Sequence, residues 1–237
     1  MNDMTVPQGG VLAVPGRGFE GMRVSKDDLI IPRAKLLQAL SPEIAEGLVD
    51  GAKAGQIRNS LTKEVLPSRV VPIFAFKSYF RFNPRDRAKE GYNPNYQPGA
   101  MIWRSMNPDD PKVIEQACFG PNGEVPLALT CLNFFAFFPG VLMPIVLSFS
   151  KTSYKTGKQL LSLARFCGGD MWSRAYQLGA ALVTDDKGTY YVFTVTSLGE
   201  SNAEERHQAE SWWTLFSDKA AELKVHEEEE ADAEFEA

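Results

Sequence analysis

Cationic and aromatic side chains are interleaved in four stretches of this chain, and no other set of residues has as clear a chemistry. In VVPIFAFKSYFRF, Lys77, Tyr79 and Arg81 alternate with phenylalanines. Trp103 and Arg104 adjoin; Lys151, Tyr154, Lys155 and Lys158 cluster; Trp172, Arg174 and Tyr176 alternate again. Cations neutralise phosphates along a nucleic acid strand. Flat rings stack on unpaired bases, at ~1–3 kcal/mol per base. A surface offering both can hold a single strand. A fifth group, Arg85, Arg87, Lys89, Tyr92 and Tyr96, lies in NPRDRAKEGYNPNYQPG, whose 17 residues are long for a plain connection.

For catalysis the inventory is thin. The sequence contains no GxSxG, HExxH, Walker-type loop or dinucleotide glycine motif. The acid pairs Asp27-Asp28, Asp109-Asp110 and Asp185-Asp186 fall at turns and element starts, where capping explains them. His207 and His226 both lie towards the end of the chain, and Cys118, Cys131 and Cys167 are scattered and odd in number. Such spacing fits neither a zinc knuckle nor a disulfide framework. The expectation is a non-catalytic protein with no cofactor or metal, in reducing cytoplasm. No secretory signal and no long apolar run is present, so no membrane partner is expected.

The elements that must position these residues are mainly strands. Alternation from Val70 to Phe82 places Phe74, Phe76, Phe80 and Phe82 on a core face and Lys77, Tyr79 and Arg81 on an outer one. Further strands are expected near Met101–Met106, over 126–138 and 141–151 around Pro139-Gly140, and over Trp172–Val183. In the last of these, Trp172, Arg174, Tyr176 and Leu178 are expected to share one face. Asp185-Asp186-Lys187-Gly188 reads as a hairpin turn leading into TYYVFTVTSL. Ser41-Pro42-Glu43 starts a short helix, KTSYKTGKQLLSLAR leads into another, and Asn202 caps a last helix running to about Lys224. The 237 residues, 44% of them hydrophobic, suffice for one sizeable core. The fold class expected is mainly β with helical additions (α+β): a five- to seven-stranded, OB-like small barrel, closed or partly open, with a C-terminal helix. Residues 1–24 read as a flexible Gly/Pro-rich arm, 25–226 as the folded domain and 227–237 as a disordered acidic tail.

That tail changes how the charge is read. Glu227, Glu228, Glu229, Glu230, Asp232, Glu234 and Glu236 face no base within it, and Phe235 is its one aromatic. The chain carries −5; setting these seven acids aside leaves +2 for residues 1–226. The string repels itself and stays extended. On a short tether it reaches an effective concentration near ~1 mM against a basic surface on the same chain.

A β-domain with basic–aromatic faces followed by such a tail resembles phage and bacterial single-stranded DNA-binding proteins. The resemblance covers the layout and Glu227–Ala237. It implies an OB-fold core, binding of single-stranded DNA, and a tail that competes with DNA and recruits replication or recombination proteins. Tails of that family commonly end on the aromatic, whereas Phe235 is followed by Glu236 and Ala237; competition with DNA is therefore expected ahead of docking through Phe235. The segment DDLIIPRAKLLQALSPEI is in addition similar to an uncharacterised group of phage proteins.

The function expected is sequence-independent coating of single-stranded DNA in phage replication or recombination. Lys77, Tyr79, Arg81, Trp103, Arg104, Lys151, Tyr154, Lys155, Lys158, Trp172, Arg174 and Tyr176 form the expected binding surface. Two alternatives stand beside it. One is a protein–protein or homo-oligomeric module using the aromatic strands and the Trp212-Trp213 helix. The other is a strand-annealing recombination protein.

Overall fold

Nearly every side chain from Leu129 to Phe137 is apolar, which suits a strand covered on both faces. A computed structural model, which describes residues 30–217 apart from Lys187, places that segment as β5 in the interior of a six-stranded antiparallel sheet. Its neighbours are β3 (Arg69–Phe82) and β6 (Ile145–Phe149). Beyond β3 come β7 (Arg174–Asp185) and β8 (Gly188–Glu200), while β4 (Met101–Ser105) pairs with the far end of β3. A separate ribbon joins β1 (Ala34–Leu36) to β2 (Ile57–Asn59). Among the described residues four α-helices accompany these strands: α1 (Pro42–Ala45), α2 (Pro111–Gln116), α3 (Tyr154–Phe166) and α4 (Ala203–Phe216). The expected arm, the end of the last helix beyond 217 and the acidic tail lie outside the described residues.

Successive residues of β5 serve two cores. Leu132, Phe134 and Ala136 point to one side, with Leu147 and Phe149 of β6, Leu160 and Ala164 of α3, and Tyr176, Leu178, Phe193 and Val195 of the β7–β8 hairpin. Phe135 and Phe137 point to the other, with Val71, Ile73, Phe74 and, from α4, Ala209, Trp212 and Phe216. Phe74 stacks on Phe135 with centroids 4.8 Å apart. Gly157 lets α3 lie close on β6, because a Cβ there would sit 2.7 Å from Cβ of Phe149.

The mainly β, α+β class and the six strands match the sequence-based expectation; closure into an OB-like barrel does not. The sheet curls so far that strands from its opposite ends meet, with Phe149 of β6 5.4 Å from Phe193 of β8. Among the described residues no ladder joins these two strands. The segment around β1 bridges them instead: Val146 N–H donates to Pro32 O, and the Gln38 side chain exchanges two hydrogen bonds with the backbone of Tyr191. The Thr156 hydroxyl of α3 takes a further edge group, Phe193 O, at 2.9 Å. Edge groups are thus satisfied without barrel closure.

The expected Asn202 cap and hairpin turn are present, whereas Ser41 precedes α1 without a side-chain capping bond. The Asn202 side chain accepts from Glu205 N–H, and the Glu205 carboxylate accepts from Asn202 N–H, a reciprocal capping box. Asp185 pairs with Gly188 at the hairpin, where Gly188 has φ +124°. Glu205 is also gripped by Arg69 at the start of β3, through Nε at 2.6 Å and a terminal nitrogen at 2.8 Å. Chiefly through that bond, and against the opposing effect of burial, its carboxyl is held below its ordinary value. A depressed folded value makes this contribution complete above the unfolded carboxylate range, about 4.3, and lost as pH falls through the lower folded value. Thermal unfolding followed from pH 6 to pH 2.5 is therefore expected to show a falling acid limb, and Glu205→Gln to lower the melting temperature at pH 6 while flattening that limb.

A β-bulge and a 3-10 turn alter the expected facing. The bulge is at Ile73, the extra residue of β3 between Pro72 and Phe74, and the turn is Met171–Ser173, just ahead of β7. The turn divides the set expected on one face: Tyr176 and Leu178 enter the core beside α3, whereas Trp172, in the turn ahead of β7, packs into the core beneath α4. In β3, period-two alternation holds from Phe74 to Phe82, but at its far end the covered side is the opposite of the one expected. Tyr79 is 7% exposed and Arg81 6%, while Phe82 is 36% exposed. The cause is chain from elsewhere in the sequence. Arg81 donates to Leu127 O at 2.9 Å and to Gly91 O at 2.6 Å. Asn83 donates to the carbonyls of Asn93, Tyr96 and Gln97 and accepts from Asn93 N–H. The 17-residue loop is thereby folded back and latched over this side of the strand.

Candidate nucleic-acid interface

The expected surface comes apart into three sets. Tyr79, Arg81 and Tyr176 are interior, Tyr176 completely so. Burial without a carboxylate partner lowers the Arg81 pKa, and its two carbonyl bonds make it a clamp on the loop instead of a phosphate ligand. Burial likewise raises the Tyr176 pKa. Trp172, Trp103, Arg104 and Arg174 are half-buried, and the first three are occupied within the protein. Trp172 packs against Trp213 at 5.6 Å, Trp103 Nε1 donates to Gln116, and Arg104 lies over the Phe80 ring at 5.7 Å, while Arg174 stands opposite Glu200 in the β7–β8 register.

Lys77, Lys151, Lys155 and Lys158 are exposed, with Tyr154 half-buried beside them. Three of these lysines lie on α3 or just ahead of it. A single 3-10 turn, Lys151–Ser153, leads directly into α3, and Lys158 Nζ stands 5.6 Å over the Tyr154 ring. Lys77 joins the same side of the sheet through register: it is opposite Leu132, which is opposite Phe149, two residues before Lys151. Leu132 and Phe149 share their core with Leu160 of α3.

The pattern continues past the residues expected. At ~100° per residue, Lys155, Lys158, Gln159, Ser162, Arg165 and Phe166 fall within one arc of about 120°. All six are exposed, while Gly157, Leu160 and Ala164 on the opposite side are buried. Between Glu124 and Asp170 the chain has no acidic residue and four cations: Lys151, Lys155, Lys158 and Arg165. The first turn of α3 has no acid, and its lysines gather at the end where the helix dipole disfavours cations. Gly168 and Gly169, at φ +72° and +75°, then end the helix and leave Phe166 projecting, 86% exposed. Arg165 and Phe166 are absent from the expected surface, although helical spacing from Lys155 and Lys158 and the acid-free run were both available to find them.

A family model described as Pam3 phage gp34-like protein matches residues 10–222. The chain belongs to this phage family. No curated protein and no solved structure matches it. The match spans every described element, so the curled sheet and the cationic helix both fall within the region shared with the gp34-like family. In this gp34-like chain, no group of His, Cys, Asp and Glu among the described residues is placed to hold a metal ion. Nor is any described helix long and apolar enough to cross a membrane.

Proposed function

We propose that this phage protein binds single-stranded DNA through the outer face of α3, without sequence preference and without catalysis, and coats exposed strands during replication or recombination. The observation that carries the reading is the helix face itself: cations at Lys155, Lys158 and Arg165, with Lys151 just ahead and Lys77 on the same side of the sheet, in a stretch with no acidic residue between Glu124 and Asp170. Lysines at a helix N-terminus forgo the stability that acids would give there. A bound polyanion offsets that loss, since it takes both the lysine charges and the positive end of the dipole. In this reading the seven acids of residues 227–237 compete with DNA for the same face.

Parallel gel shifts with oligo-dT and a duplex of equal length test the proposal. Binding of oligo-dT that weakens steeply with salt supports it; a shift with neither probe overturns it. Deleting residues 227–237 is expected to tighten oligo-dT binding at low salt, and unchanged affinity removes the tail from the scheme. A second reading, a homo-oligomeric module, rests on one observation: Ile114, Phe119 and Val125 are 60%, 74% and 79% exposed on and after α2. Exposed apolar side chains this near one another in sequence can form an interaction surface. Self-association through them would be nearly indifferent to salt, and sedimentation at two salt concentrations separates the readings.

A further inference from the structure

We infer that Phe166 is a base-stacking residue that makes the α3 face select unpaired strands; this rests on the α3 face being the DNA-binding surface. Phe166 lies on the cationic arc, one position after Arg165 and three helical turns from Lys155, about 16 Å along the axis at ~1.5 Å per residue. A large ring that is 86% exposed loses the stabilisation that burial would give. The two left-handed glycines after it turn the chain away at once, so nothing in the following residues covers the ring from its own helix. Phosphates held along Lys155, Lys158 and Arg165 bring the attached bases to this end of the helix, where a flat apolar face is presented. A duplex keeps its bases stacked inside and offers no partner for the ring; a single strand does.

The test compares oligo-dT with an abasic phosphodiester oligomer of equal length and charge, for the full chain and for Phe166→Ala, Phe166→Trp and Lys155→Gln. The natural chain is expected to prefer oligo-dT over the abasic oligomer by about 5- to 150-fold, the range that one stacked base gives. Phe166→Ala should lose that preference without change in binding to the abasic oligomer, and Phe166→Trp should restore it. Lys155→Gln should weaken both probes equally. Equal binding of both probes by the natural chain, or an unchanged preference in Phe166→Ala, overturns the stacking role while the α3 surface stands. Loss of thermal stability in Phe166→Ala with the preference retained overturns it as well, by making Phe166 a packing residue. Failure of the natural chain to bind either probe removes the DNA-binding reading itself.

Discussion

Neutralising Lys155 and Lys158 together, as Lys155→Gln/Lys158→Gln, is expected to weaken oligo-dT binding about 60-fold at 50 mM salt and to halve its salt dependence. The estimate follows from counterion release. If Lys151, Lys155, Lys158 and Arg165 each engage one phosphate of a single strand, the log–log slope is about −2.8, and removing two contacts leaves about −1.4. Raising salt from 50 to 200 mM then weakens the natural chain about 50-fold and the double variant about 7-fold. The two lines converge near 1 M salt, where the phosphate contribution vanishes. Both lysines are exposed, and their charge is disfavoured at this end of the helix, so the melting temperature should not fall. Fluorescence anisotropy across a salt series gives both quantities. An unchanged slope would place the DNA-binding surface elsewhere on the molecule.

Tyr79→Ala is expected to act on folding alone. On the outer face of a strand this ring would stack on a base, and its removal would cost affinity and little stability. The structure places it 7% exposed, between Thr130 and Ser105 in register, on the side latched by Arg81 and Asn83. Truncating a buried aromatic ring costs roughly 3–5 kcal/mol, from lost transfer energy and the cavity left behind. For a chain of this size that is a fall of roughly 6–20 °C in melting temperature. Oligo-dT affinity at a temperature where the variant is folded should be unchanged. Scanning calorimetry and anisotropy on one preparation decide it; a tenfold loss of affinity with an unchanged melting temperature would return Tyr79 to the surface.

The two variants separate the residues that local pattern places correctly from those it cannot. Lys155 and Lys158 are legible because a short amphipathic helix has one way to lie: Leu160 and Ala164 go in, so residues a half-turn away go out. Arg165 and Phe166 follow from the same spacing once the helix is carried to its glycine stop. Tyr79 and Arg81 are not legible in this way. An alternating strand presents two faces, and in β3 each has aromatic residues, so composition does not say which is covered. Tyr176 fails for another reason: it shares its face of β7 with Leu178, and β6 and α3 cover that face.

By itself, then, the sequence determined the signs of the charges and the places of the long strands and of α1, α3 and α4, though not of β1, β2 and α2. Strands follow from β-branched and aromatic alternation, the hairpin from Asp-Asp-Lys-Gly, and the last helix start from Asn202 with Glu205 three residues on. These depend on φ/ψ preference and on neighbours within a few positions. The mainly β class, the lack of familiar catalytic motifs and the +2 of residues 1–226 follow from composition and order alone. Tertiary structure alone decided which of the basic and aromatic residues reach solvent. Gly91 and Leu127, 10 and 46 residues beyond Arg81, supply the carbonyls that bury it, and β1 spans the gap between β6 and β8 that keeps the curled sheet from closing. Contacts between residues so far apart leave no local trace, because each segment satisfies its own backbone preferences whether or not the other arrives.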